Sequence, residues 1–125
     1  MSVLVDTSIL IDYLRGHPQA GDILDNERAS GALHASEISR LEVLAGMRPA
    51  EEHGTRAFLS TMRWHSLDEQ VAEKAGEFGR SWLASHRVID GADLAVAATA
   101  VLLEARLITL NVKHFPMFAG LRRPY

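Results

Sequence analysis

Apolar residues along the chain fall into short continuous runs separated by longer stretches of helical spacing. The run Val3-Leu4-Val5 ends at Asp6 and predicts a short buried strand. Ile9, Leu10, Tyr13 and Leu14 follow at helical spacing, with Thr7 or Ser8 placed to cap that helix and Gly16 and Pro18 to close it. A second helix is expected to about residue 28, then a strand around residues 32–35. Ser36 is a suitable N-cap for a helix reaching Gly46, with Ile38, Leu41 and Ala45 as its apolar stripe. Pro49 suits the first turn of a further helix that passes Ala57 and Leu59 to Met62.

Residues 64–67 read as a third strand. Asp68 then caps a long helix whose stripe is Val71, Ala75, Phe78 and Trp82. A turn at residues 88–91 leads to an alanine-rich helix, from Asp90 or Asp93 to Arg106, and residues 107–110 form the last strand. Strands thus alternate with helices, and each strand is nearly continuous in apolar residues. The expected fold is α/β: one domain over residues 1–125, a central mostly parallel sheet with helices on both faces. Sites in such sheets gather beyond the carboxyl ends of the strands. Asp6 and Asn111, from opposite ends of the chain, are therefore expected on one edge.

Composition narrows the function classes. The 125 residues are 47% hydrophobic and 23% charged, an ordinary globular balance that argues against disorder. Thirteen Lys and Arg against 16 Asp and Glu give a net charge of −3, so coating nucleic acid or an anionic membrane by bulk charge is excluded. Local contact with phosphate is not, because 11 of the 13 cations are Arg. Arg15, Arg40, Arg48, Arg87, Arg122 and Arg123 are the candidates for such a rim. The absence of cysteine excludes disulfides, a Cys-ligated zinc and a thiol nucleophile. Asp6 and Asp12 interrupt the apolar start and no basic segment precedes it, so neither a signal peptide nor a membrane span is expected and the location is read as cytoplasmic.

The candidate chemistry is carboxylate chemistry. Asp6 follows the first strand, with the Ser8 hydroxyl placed either to hold it or to cap the next helix. Glu42 and Glu37 border opposite margins of one helical stripe, and periodicity does not choose between them. No cation stands three or four residues from Glu42 to neutralise it. Asp93 opens the alanine-rich helix with Asp90 one turn earlier, as cap or as outer ligand. Oxygen ligands without sulfur or paired histidines suit Mg²⁺ or Mn²⁺ rather than zinc. Such a cation relieves the repulsion between neighbouring carboxylates and activates water against a phosphodiester.

Four stretches carry a family resemblance: Val5-Asp6-Thr7-Ser8, Ser39-Arg40-Leu41-Glu42 with Ala45-Gly46, Asp93 to Ala100, and Thr109-Leu110-Asn111-Val112-Lys113-His114-Phe115. In this order and spacing, the chain resembles PIN-domain ribonucleases, specifically the VapC-type toxins of toxin–antitoxin pairs. The resemblance implies that Asp6, Glu42 and Asp93 bind the metal and carry catalysis, and it selects Glu42 over Glu37. It gives Ser8, Thr109 and Asn111 as polar support, with Asp90 a further candidate. It also implies Mg²⁺-dependent hydrolysis of structured RNA to a 3′-hydroxyl and a 5′-phosphate, a VapB-type antitoxin lying over the acidic groove, and a homodimer. One position departs: many relatives carry a fourth acid where this chain has His114, which bears on a second metal position. His114 is read as a surface histidine.

Other signals are weaker. Glu69, Glu73 and Glu77 form an acidic ladder opposite the Val71 to Trp82 stripe and read as a solvated face. His17, His34, His53, His65 and His86 are scattered singly, without ligand spacing. A receiver-type signalling domain would need paired acids after the first strand and an acceptor Asp after a middle strand, and a dehalogenase-like phosphatase a second Asp at the position of Ser8. The remaining alternative is a PIN fold that binds RNA or a partner without cleaving.

Overall fold

A computed structural model describes all 125 residues. Four parallel strands form one sheet: β1 (Val3–Val5), β2 (Leu33–Ser36), β3 (Arg63–His65) and β4 (Arg106–Ile108), in the order β3-β2-β1-β4. The helices are α1 (Thr7–Leu14), α2 (Pro18–Ser30), α3 (Glu37–Ala45), α4 (Glu52–Leu59), α5 (Glu69–Trp82) and α6 (Gly91–Leu102). Short 3₁₀ turns occupy Pro49–Glu51 and Val112–His114. β1 is central, pairing Val3 with Leu33 on one side and with Arg106 on the other. The chain reverses its direction of travel across the sheet there, which places a crevice at the carboxyl ends of β1 and β4.

Both faces of the sheet are covered. Val3, Val5, Leu33, Ala35 and Ile108 pack with Ile9, Leu10, Leu24 and Phe58 on the face toward α1, α2 and α4. Leu4 and Leu107 point the other way, onto Val96, Ala97 and Ala100 of α6 and onto Phe115. The alternation of Val3, Leu4 and Val5 between two cores follows from the two-residue period of a strand. Ala97, Ala98 and Ala100 are fully buried, and their small side chains let α6 lie close to the sheet. Removing this apolar surface from water is the main force holding the layers together.

The structure shifts several expected boundaries. α6 ends at Leu102 rather than near Arg106, because Glu104 turns to a left-handed φ of 54° and Ala105 N–H bonds back to Ala100 O at 2.8 Å. That closure is the Schellman type, here without glycine. Arg106 is thereby freed to pair with Ser2 O (2.9 Å) and begin β4, one residue earlier than the apolar run suggests. β3 likewise begins at Arg63 and stops at His65.

On α3 the expected stripe holds at Ile38, which packs against the core beneath α6, and fails at its other two positions. Leu41 is 59% exposed and Ala45 is exposed, while Ser39 and Val43 are buried. α3 packs against both α1 and α6, and that double contact, rather than hydrophobicity alone, sets which residues turn inward. Ser36 and Asp68 cap α3 and α5 as expected, accepting from Ile38 N–H and Val71 N–H. Glu69, Glu73 and Glu77 are exposed, as a solvated face should be.

Candidate active site

Asp6 leaves β1 at its carboxyl end, and its N–H still bonds to Ile108 O of β4 at 2.9 Å. The residue occupies the N-cap position of α1, yet its side chain makes no cap bond. Instead Oδ2 accepts from the Thr109 hydroxyl (2.7 Å) and from the Ser8 hydroxyl (2.9 Å). Ser8 Oγ in turn accepts from Leu110 N–H (3.1 Å), and Thr109 Oγ1 from Asn111 N–H (2.9 Å). Each hydroxyl thus takes a backbone proton and gives its own to the carboxylate. Asp6 is only 4% exposed, and a buried carboxylate requires such donors. Neither Thr7 nor Ser8 caps the helix, and Asn111 contributes here through its backbone.

Glu42 comes to the same edge on α3. Its Oε1 accepts from the Thr7 hydroxyl at 2.6 Å, and Thr7 Oγ1 also shares a hydrogen bond with Ser39 Oγ at 2.8 Å. Thr7 directly follows Asp6, so one bend in the backbone serves two carboxylates. Glu37, the other acid of that helix, pairs with Arg40, and the Arg40 guanidinium lies 4.3 Å over the Trp64 ring. A carboxylate neutralised by its own helix is a surface ion pair. The tertiary contacts separate Glu42 from Glu37, as periodicity did not.

Asp93 sits at the third position of α6 in a reciprocal cap. Asp90 Oδ1 accepts from Asp93 N–H (2.9 Å), and Asp93 Oδ2 accepts from Asp90 N–H (3.0 Å). The same Oδ2 lies 2.9 Å from Nδ1 of His114. An ionised carboxylate only accepts, so Nδ1 carries the proton of that bond. Burial pushes the Asp93 carboxyl up from its usual range, further than the Asp90 and His114 donors draw it down. His114 is therefore no free surface histidine: it comes back across 21 residues to hold Asp93.

The structure brings Asp6 together with Ser8 and Thr109, Glu42 with Thr7, and Asp93 with Asp90 and His114. It does not gather three or more His, Asp or Glu side chains into a ready metal cage. The bonds just described fall on one oxygen of each acid: Asp6 Oδ2, Glu42 Oε1 and Asp93 Oδ2.

The PIN-domain family profile matches residues 3–119. The chain belongs to the PIN-domain family. Within it, the chain is 43% identical to Ribonuclease VapC19 of Mycobacterium tuberculosis over 98% of each protein. It is 40% identical to Ribonuclease VapC10 of the same organism, over 98% of this chain and 92% of the relative. Among solved structures, a toxin–antitoxin complex from Klebsiella pneumoniae contains a chain that aligns with a TM-score of 0.84 and 31% identity, covering 99% of this chain and 98% of that one. These relatives agree with the VapC resemblance carried by the four motifs, and the solved structure has the same α/β fold.

In this PIN domain the sequence pattern assigns Ser39 no role, Thr7 only a capping one and His114 a place on the surface, whereas Thr7 bonds Glu42 and Ser39, and His114 bonds Asp93. Thr7 and Ser39 lie inside the quoted motifs, but a hydroxyl bonding across 32 residues has no local signal. The histidines outside the site are also less scattered than they read. His34 and His65 sit on adjacent parallel strands with Nδ1 and Nε2 2.8 Å apart. Burial first, then His65 and Arg63, hold the His34 imidazole below its ordinary value. No helix is long and apolar enough to cross a membrane.

Proposed function

We propose that this PIN domain is a VapC-type toxin, a metal-dependent endoribonuclease that hydrolyses phosphodiester bonds of cellular RNA with Asp6, Glu42 and Asp93 as its catalytic acids. The observation that carries this reading is the buried Asp6, fixed by hydroxyls from both ends of the chain at the carboxyl edge of a parallel sheet. The two Mycobacterium tuberculosis relatives are named as ribonucleases, which supports the same chemistry here.

The donor set suits Mg²⁺, with Mn²⁺ an alternative. All three acids offer hard oxygen, and each has one oxygen outside the protein hydrogen bonds described above. A divalent cation held there supplies activation of water and neutralisation of charge growing on the phosphate. The protein's own residues supply position: Ser8 and Thr109 fix Asp6, Thr7 fixes Glu42, and Asp90 with His114 fixes Asp93. Asn111 ends the Thr109 relay and stands exposed beside it, placed to meet the RNA backbone. RNA binding is local, through Arg residues, and weakens with salt.

The Klebsiella pneumoniae relative is described as a toxin–antitoxin complex, which supports a VapB-type antitoxin as the partner. A cleft of about 100 Å³ opens beside Glu42, where Ile11, Leu14, Val43 and Met47 give apolar contact and Arg15 and Glu51 give charges of both signs for a partner segment. The protein is taken to be a cytoplasmic homodimer comprising one domain over residues 1–125.

The deciding experiment incubates purified protein with Mg²⁺ or Mn²⁺ and structured RNA, beside Asp6→Asn. Cleavage by the parent and none by the variant is the expected result. Equal cleavage by both identifies a contaminating nuclease, and no cleavage by either across a broad RNA panel favours a PIN fold that binds without cutting.

A further inference from the structure

We propose that His114 is a positioning residue of this active site, orienting Asp93 for the metal by an Nδ1–H bond. The inference rests on the reading of Asp93 as a metal ligand and adds a role that the acids alone do not contain.

Four features carry it. Nδ1 lies 2.9 Å from Asp93 Oδ2, within normal hydrogen-bond length. The Asp90 N–H reaches the same Oδ2 at 3.0 Å, so two donors converge on one oxygen and set the carboxylate plane. Oδ1 is left outside both bonds. Finally, the His114 side chain is only 32% exposed and that of Asp93 13%, so the pair is sheltered from competing water.

The element that carries His114 is itself braced. His114 closes the 3₁₀ turn that begins at Val112, its N–H bonding to Asn111 O at 2.9 Å. The next residue, Phe115, is 1% exposed and sits in the core beneath α6. The imidazole is thus anchored by a buried aromatic neighbour, and it reaches the N-terminal turn of α6 from outside the helix. The Nδ1–H tautomer of the neutral ring and the protonated ring both donate from Nδ1, so either can make the bond to Asp93. A carboxylate at this position would repel Asp93 in the metal-free protein and would call for a second cation. A histidine instead does what outer partners of metal ligands do: it fixes direction without adding negative charge.

The test separates donation from mere bulk. Asn places an amide N–H near the Nδ1 position, whereas Gln of similar size carries its donor further out. Mn²⁺ binding to the full-length protein is followed by calorimetry, and kcat and KM by cleavage of a structured RNA, for parent, His114→Ala, His114→Gln, His114→Asn and Asp6→Asn. Thermal melts confirm folding of each. The expected result is a fall of about 10- to 100-fold in Mn²⁺ affinity and kcat for His114→Ala and His114→Gln, with KM for RNA unchanged. His114→Asn restores both values toward the parent. If His114→Gln binds Mn²⁺ and cleaves like the parent while Asp6→Asn does neither, the positioning role is overturned and the nuclease reading stands. If the parent itself neither binds Mn²⁺ nor cleaves, both fall together.

Discussion

Asp6 and Thr109 are separated by 103 residues and joined by a 2.7 Å hydrogen bond inside the protein. The bond exists because β1 and β4 are neighbours in register, Val5 opposite Ile108, so the residues that follow each strand emerge side by side. Thr109 is fully buried and Asp6 nearly so. Thr109→Val keeps the shape and removes the donor. It is expected to lower stability by about 1–3 kcal/mol, because Asn111 N–H loses its acceptor and Asp6 Oδ2 keeps only the Ser8 donor, and to reduce RNA cleavage with it. Urea melts and a cleavage assay read both effects, and Thr109→Ser should recover most of each.

Thr7 makes the corresponding bond to Glu42. Thr7→Val leaves Glu42 without its fixed donor and is expected to cut RNA cleavage by about 10- to 100-fold while the fold is kept. Circular dichroism alongside initial rates checks this. Unchanged rates would show that Glu42 needs no orientation by its neighbour.

Asp93 is held in its charged form against burial. Its raised pKa means that the folded chain binds a proton more tightly than the unfolded chain does. Stability from this group is therefore fully present below its ordinary value of 3.8, and is lost as pH rises through the raised folded value. Asp93→Asn removes that loss and is expected to melt at or above the parent in chelator at neutral pH, while RNA cleavage disappears. Function and stability often diverge in this way where charges are held for chemistry. A variant melting far below the parent would contradict the account.

His34, bonded to His65 across β2 and β3, has the opposite sense. Its lowered pKa means that the unfolded chain takes up a proton at His34 before the folded chain does. The stability it contributes is present above the ordinary value of 6.5 and lost as pH falls from there through the lowered folded value. The urea midpoint should therefore decline between about pH 7.5 and pH 5, and His34→Gln should flatten part of that decline.

Glu104 closes α6 at a φ of 54°, a conformation that glycine adopts without strain. Glu104→Gly is expected to raise stability by about 1 kcal/mol, the left-handed penalty less the extra freedom of the unfolded glycine. A shift of the urea midpoint to higher concentration at constant slope is the signature.

Much of this protein was written locally. The run from Val3 to Val5 could only be a buried strand, Ser36 and Asp68 announced their helices as caps, and the alanines of α6 specified close packing against a sheet. Alternation of such elements dictates a parallel sheet, and the sheet dictates the edge where Asp6 must emerge. The four motifs gave the family. These features depend on a few residues of neighbouring chain, where side-chain size, backbone preference and periodicity act directly.

Other features existed only once the layers met. Periodicity placed Leu41 inside, and packing of α3 on both α1 and α6 turned it outward in favour of Ser39 and Val43. Glu42 became distinct from Glu37 because Thr7 reached one and Arg40 the other. His114 read as a surface residue until the 3₁₀ turn at Val112–His114 carried it to Asp93. A hydrogen bond is short-ranged and directional, so its partner is chosen by which backbones lie together in space, and separation along the chain carries no trace of that choice.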